Sequence, residues 1–259
     1  MFLAKGGEYP PCGMFNYKHF ILFFVVILCS CFAVKYTKVK EKEDITKIIK
    51  KVTIFVWIME FLKIGFNLLE SSIVNLNKII PLYYCSLLLY SGILSGFCKG
   101  VAKKMGDVFL ATGAIIGGIV FIMFPTTSLP EYPAFHFISV HSFVFHGLMI
   151  YLGLLINKYK YIDLCASDIK YYAGLIFVIC VGAYIVNCNF GSNLMFISRD
   201  FPGTPLEAIY KHTGKFFTVV MVVAQMTIPF YMVYGIKKLI DKIKCGTERK
   251  EELAWIKKN

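Results

Sequence analysis

Seven long apolar runs constrain this chain more than any other feature of its sequence. They cover residues 19–34, 52–69, 79–97, 108–124, 137–156, 171–187 and 216–236. Each is close to the ~20 residues that an α-helix needs to cross a hydrocarbon core of about 30 Å. In lipid only helices and closed barrels satisfy all their backbone polar groups. The sequence therefore predicts an all-α, polytopic membrane bundle of about seven transmembrane helices.

The composition agrees with one membrane domain over residues 1–259. Hydrophobic residues make up 57% of the chain and aromatic residues 16%, whereas a soluble domain is about 45–50% apolar. The charges cluster between the apolar runs, and neither internal repeats nor low-complexity linkers are evident. The first run lacks a small-x-small cleavage pattern near residues 28–33, so it is interpreted as a membrane helix rather than a removed signal peptide.

The distribution of cations predicts the orientation. Of 28 Lys and Arg residues, 21 lie after helices one, three, five and seven, and 6 lie in the N-terminal tail or after helices two, four and six. The positive-inside rule then places the N-terminus outside and the C-terminus with tail 237–259 in the cytoplasm. The cell (plasma) membrane is the expected location. The net charge of +12 is explained by lipid headgroups as partner rather than nucleic acid, because no basic face interleaved with stacking aromatics occurs.

Polar side chains concentrate in the predicted outer half of the bundle. They comprise His19 in helix one, Glu60, Lys63 and Asn67 in helix two, Tyr83 and Cys85 in the first turns of helix three, His141 and His146 in helix five, and Asn187 and Asn193 at the end of helix six. A charge at mid-membrane costs on the order of 3 kcal/mol, so such residues normally face a bundle interior or a wet cavity. The pattern predicts an intramembrane polar site.

Within this site Cys85, His146 and His141 are the catalytic candidates. A thiol becomes a nucleophile when a base such as histidine takes its proton. His141 and His146 lie about 140° apart around their helix, so one serves the chemistry and the other braces a neighbour; the depth of His146 matches Glu60 better. The alternatives are structural: Glu60 and Lys63 neutralise each other, the histidines bond neighbouring helices, and Cys85 fills space.

Neither a cofactor nor a metal is expected. Histidines five residues apart lack the spacing that lets one helix chelate zinc, and no phosphate-binding loop or dinucleotide motif is present. The nine cysteines include no CxxC pair and mostly lie in apolar runs. Two Gly-xxx-Gly pairs, Gly92 with Gly96 and Gly113 with Gly117, permit close helix contact and a homo-oligomer through glycine-rich faces.

Four segments carry a resemblance to a known family. The segment 187–197, Asn-Cys-Asn-Phe-Gly-Ser-Asn-Leu-Met-Phe-Ile, resembles the Asn-Tyr-x-Phe-Gly-Thr-Asn-Tyr-Met-Phe-Leu segment of the YwaF-type integral membrane protein family. Pro-Leu-Tyr-Tyr-Cys-Ser at 81–86, Glu-Phe-Leu-Lys at 60–63 and His-Gly at 146–147 are similar to that family's Pro-Leu-His-Leu-Cys-Ser, Glu-Ile-x-Lys and His-Gly. The resemblance covers roughly residues 15–235. Tyr83 stands where the family has histidine.

The resemblance implies a lipid-directed function. A eukaryotic branch is associated with phospholipid acyl transfer through a cysteine, which would fall on Leu82, three positions before Cys85. Acyl transfer or hydrolysis would use Cys85 as nucleophile, a histidine as base, and Asn187, Asn193 or a tyrosine hydroxyl as oxyanion donor, with Glu60, Lys63, Asn67 and Tyr83 contacting substrate. The alternatives are a transporter or channel, disfavoured because no broken helix pair is evident, and a non-catalytic lipid-binding membrane protein.

Overall fold

The computed structural model describes residues 1–70 and 75–258, with side chains described as far as residue 243. Within these ranges the chain is a bundle of α-helices joined by short connections. The helices are α1 (Tyr17–Tyr36), α2 (Lys42–Glu70), α3 (Leu76–Ile79), α4 (Leu87–Phe97), α5 (Gly100–Ala111), α6 (Gly113–Met123), α7 (Phe137–Lys158), α8 (Ile169–Phe190), α9 (Pro205–Thr213) and α10 (Phe217–Lys258).

Six helical segments of the described chain are long and apolar enough to cross a membrane. This confirms the predicted polytopic helical bundle. The run at 108–124 belongs to a longer segment, Gly100–Met123, in which Thr112 (φ −126°, ψ −75°) separates α5 from α6. The last helix continues through the predicted tail to Lys258; the tail's side chains from residue 244, and residue 259, lie outside the described part.

The third predicted span is interrupted, and here the expectation of one helix over 79–97 was wrong. A four-residue helix, α3, ends at Ile79, and α4 begins only at Leu87. Ile80 is extended (φ −80°, ψ 115°) because the ring of Pro81 disfavours a helical conformation in the residue before it and cannot donate a hydrogen bond. Cys85 therefore lies in the turn that precedes α4 rather than within a helix.

When α4 is counted with the six long segments, successive segments run in alternating directions between two ends of the bundle. At the N-terminal end, which carries the starts of α1 and α7, the His19 ring lies 2.8 Å from the Ile122 carbonyl. At the opposite end, Lys158 Nζ donates to the Val34 carbonyl at 2.8 Å. These contacts fix α1 and α7 side by side, and α7 also packs against α2 and α6. The N-terminal tail contacts the end of α2 and the loop between α6 and α7 at this end.

Which end faces the cytoplasm stays a prediction from the cation pattern. If the N-terminal end is outside, cysteines placed at Glu131 and Asp200 will react with an impermeant thiol reagent added to intact cells. Cysteines at Asp44 and Lys158 will react only after permeabilisation. Labelling of the Asp44 position in intact cells would contradict this orientation and favour the reverse one.

The glycines of the two Gly-xxx-Gly pairs contact the chain's own helices. A Cβ on Gly92 would collide with Thr53 of α2, and one on Gly96 would lie 3.1 Å from the Lys50 side chain. A Cβ on Gly117 would lie 2.7 Å from the Tyr84 ring. These faces serve packing within one chain, and association between copies stays a prediction.

Candidate functional site

A buried ion pair lies at the centre of the candidate site. Glu60 and Lys63 are one turn apart on α2, and Lys63 Nζ lies 2.6 Å from Glu60 Oε1. The Glu60 side chain is 2% exposed and that of Lys63 23%. Spacing of i, i+3 on a helix brings both groups to one face, so the predicted pairing of these two charges is what the structure contains.

His141 on α7 meets the same carboxylate from the other side. Its Nε2 lies 3.8 Å from Glu60 Oε2, and the ring is 4% exposed. Neither ring nitrogen has a hydrogen-bond partner of regular geometry, although the Met59 backbone is near enough for a weaker interaction. Glu60 thus stands between an ammonium and an imidazole.

His146 is held in one defined tautomer. Its Nδ1 lies 2.6 Å from the Ser142 carbonyl oxygen, and because a carbonyl oxygen only accepts, Nδ1 must carry the hydrogen. The other nitrogen, Nε2, is buried and has no hydrogen-bond partner. Phe121 of α6 stacks on the ring with centroids 3.6 Å apart. A neutral ring in this tautomer keeps a lone pair on Nε2, as a general base requires.

Two other buried histidines provide the contrast. His19 accepts from the Phe15 backbone N–H at 3.0 Å and donates to the Ile122 carbonyl at 2.8 Å. His136, which caps α7, is also bonded through both nitrogens. Buried polar atoms normally find partners, and His19 and His136 follow that rule. His146 and His141 do not: one ring nitrogen of His146 and both of His141 lack a partner. Of these two, His146 is the one fixed in a single tautomer, which makes it the better candidate for a base.

We call Glu60, Lys63, His141 and His146 the buried polar cluster. The charge of Lys63 acts electrostatically on both imidazoles. Lys63 and Glu60 also interact electrostatically with the thiol of half-buried Cys85, which places this cysteine in their neighbourhood without showing a direct contact. The structure as described contains no hydrogen bond from Cys85 to either imidazole, so the predicted thiol–imidazole contact is not formed in this state.

Tyr83 and Asn67 lie at the edges of the cluster. The Tyr83 hydroxyl donates to Asn77 Oδ1 across a long 3.4 Å. Asn67 is buried and donates to the Lys78 carbonyl at 3.0 Å, which ties α2 to α3. Asn77 also accepts from the Asn193 backbone N–H at 2.9 Å. Asn77 was not among the predicted residues, although it lies in the polar stretch 75–78 directly before the apolar run that contains Pro81.

The asparagines of the 187–197 segment hold the loop that covers the break before α4. Asn187 donates to the Leu194 carbonyl at 3.0 Å and to Ser198 Oγ at 2.7 Å, and its oxygen accepts from the Leu194 N–H at 2.8 Å. Asn193 donates to the carbonyls of Arg199 and Asp200. Both amide groups are therefore fully engaged, and neither has an N–H left for an oxyanion.

The same loop satisfies exposed backbone in the break. Met195 N–H donates to the Leu82 carbonyl at 3.2 Å, and Gln225 Nε2 donates to the Met195 carbonyl at 2.9 Å. Irregular backbone at membrane depth is tolerated only where protein or water satisfies it. The asparagine segment thus fixes the position of Leu82, and through it the turn that carries Cys85.

Replacing Asn187 with alanine is expected to destabilise the fold by about 3 kcal/mol, because the N–H and the C=O of buried Leu194 both lose a partner. Asn189 on the same turn is the matched control. Its amide only donates to the Ile185 carbonyl at an exposed site, so its replacement is expected to change stability by less than about 0.5 kcal/mol. Thermal unfolding of the purified variants measures both, and equal losses would contradict the scaffold role.

The fold defines a multi-pass α-helical membrane protein whose interior contains the buried polar cluster. The model of the TMEM164 family matches residues 14–234. The chain therefore belongs to the TMEM164 family, a family of membrane proteins. No curated protein and no solved structure matches the chain. The narrower YwaF-type resemblance stays an expectation from the motifs.

Proposed function

We propose that this protein carries out lipid-directed acyl transfer or hydrolysis at the buried polar cluster, with Cys85 as nucleophile and His146 as general base. The observation that carries the proposal is the free Nε2 of His146, in a ring whose other nitrogen is fixed on the Ser142 carbonyl. An oriented base inside a membrane bundle suits a substrate that is itself part of the membrane.

The first half of the reaction would form a thioester. The Cys85 thiol gives its proton to His146 Nε2, and the sulfur attacks the carbonyl carbon of a lipid ester. The tetrahedral intermediate collapses, the ester C–O bond breaks, and the leaving alcohol takes the proton from the imidazolium. Because no Cys85–His146 hydrogen bond exists in the described state, substrate binding must bring the sulfur within about 3–4 Å of the ring.

The second half would return the acyl group to an acceptor. A hydroxyl of a lysolipid, or water, gives its proton to His146 Nε2 and attacks the thioester carbonyl. The C–S bond breaks, and the sulfur regains the proton from the ring. A lysolipid acceptor makes the reaction a transfer, and water makes it a hydrolysis.

The remaining residues would position and stabilise. Glu60 would orient His141 and balance the charge of Lys63, since it lies next to both. With both asparagine amides engaged, the Tyr83 hydroxyl is the available oxyanion donor, because only a 3.4 Å hydrogen bond to Asn77 holds it. Asn67 would contact the polar part of the substrate from the end of the cluster.

Two features outside the cluster support a lipid substrate. The chain belongs to a membrane protein family, and its motifs resemble the YwaF-type proteins, whose eukaryotic branch is associated with phospholipid acyl transfer. In that branch the cysteine would fall on Leu82, which lies with Cys85 in the same non-helical segment. The plasma membrane is the proposed location of this multi-pass protein.

Phospholipid profiling of cells with and without the protein tests the proposal. We expect a shift in acyl-chain composition that disappears in cells carrying an equal amount of the His146→Asn variant. An unchanged lipid profile combined with solute flux in liposomes would instead establish a transporter. An unchanged profile without flux, but with lipid retained on the purified protein, would establish a lipid-binding protein.

A further inference from the structure

A cavity with several charged and polar side chains in its wall lies at the N-terminal end of the bundle, next to the buried polar cluster. Its volume is about 510 Å³, and its lining includes Asn67, Glu70, Lys78, Glu131 and Tyr132. Asn67 is buried and lies one helical turn, about 6 Å, from Lys63 on the same face of α2. The wall of the cavity is therefore continuous with the helix face that carries the ion pair.

The rim of the cavity is a chain of charged and polar groups. Lys78 Nζ lies 2.5 Å from Glu131 Oε2, and the Tyr132 hydroxyl donates to Glu70 Oε2 at 2.7 Å. Burial and the neighbouring Glu70 carboxylate raise the pKa of Tyr132, so this hydroxyl keeps its proton and remains a donor. A rim of this composition favours water and small polar molecules over lipid chains.

The N-terminal tail crosses the mouth of this cavity. Its two ends are fixed by backbone hydrogen bonds. On one side Phe137 N–H donates to the Phe2 carbonyl at 2.9 Å, and on the other Cys12 N–H donates to the Tyr132 carbonyl at 3.0 Å. Between these attachments Gly6 and Gly7 line the cavity.

Between its two attachments the N-terminal tail has one contact with α2, the hydrogen bond from Gly6 N–H to Glu70 Oε1. The side chains of the tail on either side of this contact, from residue 5 to residue 11, are exposed. This stretch is therefore held at its ends and at one point between them, which is the arrangement of a hinged cover.

Unpaired polar atoms lie deeper along α7. Ser139 Oγ, both nitrogens of His141 and Nε2 of His146 are buried and have no hydrogen-bond partner. Buried polar groups without protein partners are normally satisfied by ordered water. These residues span two turns of the helix that begins beside the cavity, which is where an access path for water would run.

We propose that the cavity is the aqueous entrance to the buried polar cluster, that it admits water and small hydroxyl-bearing acceptors, and that residues 5–11 form its lid. The identity of the acceptor rests on the proposed acyl chemistry, whereas the entrance and the lid do not. A closed lid would keep water from a thioester and favour transfer to a lipid. An open lid would favour hydrolysis.

Thiol labelling in lipid nanodiscs tests the entrance without any turnover. Asn67→Cys and His141→Cys place single reporters at the cavity and at the cluster, and Leu62→Cys places a matched control on the lipid-facing side of α2, where Leu62 is 59% exposed. A small charged methanethiosulfonate is the probe, and site-resolved mass spectrometry separates each reporter from the native cysteines. Each reporter is measured with and without Gly6→Pro, which removes the N–H donated to Glu70.

We expect Asn67→Cys and His141→Cys to react about tenfold or more faster with Gly6→Pro, the effect of losing one hydrogen bond to a charged group. Leu62→Cys should stay unreactive in both backgrounds. Equal rates with and without Gly6→Pro, and also after deletion of residues 1–8, would overturn the lid. Reaction of Asn67→Cys without reaction of His141→Cys would overturn the entrance. Neither outcome bears on the proposed catalysis, because both reporters are measured by thiol labelling and not by enzymatic activity.

Discussion

Replacing His146 with asparagine is expected to lower acyl transfer or hydrolysis by about 10²–10⁴-fold, the range that a general base contributes. The asparagine amide can still donate to the Ser142 carbonyl, which the His146 ring now contacts at 2.6 Å. It cannot accept a proton as Nε2 does. The loss should therefore appear in the rate of the chemical step, measured with purified protein and a lipid bearing a labelled acyl chain, and not in the amount of folded protein.

His19 supplies the control for this substitution. Its ring is equally buried, but both of its nitrogens are hydrogen-bonded to backbone, so His19→Asn should lower stability and leave the rate per folded molecule within about threefold. A further readout separates chemistry from structure. Added imidazole should restore part of the activity of His146→Ala. It should not restore activity that His19→Ala has lost. Full activity of His146→Asn would remove the base from the mechanism.

Replacing Glu60 with leucine is expected to destabilise the protein by about 3–5 kcal/mol, because Lys63 keeps its charge inside the bundle without a partner. The Lys63 side chain is only 23% exposed, so water solvates its ammonium only in part once the carboxylate is gone. Replacing both residues together, with leucine and methionine, should recover most of this loss, since the membrane interior accepts an apolar pair. Equilibrium unfolding in mild detergent measures the three variants and gives the coupling between the two positions.

The same helix contains a matched ion pair. Asp44 and Lys47 have the same i, i+3 spacing, with side chains 34% and 70% exposed. An exposed pair contributes roughly 0–1 kcal/mol, so Lys47→Leu, which removes this pair and keeps the backbone hydrogen bonds that Asp44 accepts, should cost far less than Glu60→Leu. Equal losses of stability at the two sites would show that the Glu60–Lys63 pair is as well solvated as the exposed pair, which contradicts its burial.

Much of the fold follows from hydropathy, because the length of an apolar run and the thickness of a bilayer are directly comparable. The break at residues 80–86 did not follow, although Pro81 was visible. Averaged hydropathy does not register backbone geometry, and the segment 79–97 is apolar throughout. What stabilises the break is also distant in sequence: the Leu82 carbonyl is satisfied by Met195. Together with the interruption at Thr112 between α5 and α6, this break contradicts the expectation that no span is broken, on which the argument against a transporter rested.

The site could be predicted in its composition but not in its hydrogen bonding. Helical spacing alone places Glu60 beside Lys63, and this pairing exists at 2.6 Å. No local pattern distinguishes His19 from His146, because the partner of His19 is the Ile122 carbonyl, 103 residues away. Likewise the stacking of Phe121 on His146 depends on how α6 packs against α7. Asn187 and Asn193 were predicted to contact the substrate or an oxyanion, but they hydrogen-bond the loop that they close. Helical spacing does not predict those partners.

The most direct test of the proposed acyl transfer or hydrolysis follows one labelled acyl chain. Purified protein is placed in vesicles that contain a phospholipid with an isotopically labelled acyl chain and an unlabelled lysophospholipid, and the reaction is quenched in acid. We expect labelled acyl chain on the lysolipid or as free fatty acid. We also expect a hydroxylamine-sensitive acyl label on the peptide that contains Cys85. Label on product with the wild type and with Cys85→Ala alike would contradict the cysteine as nucleophile. No product above that of His146→Asn would contradict the catalytic function itself.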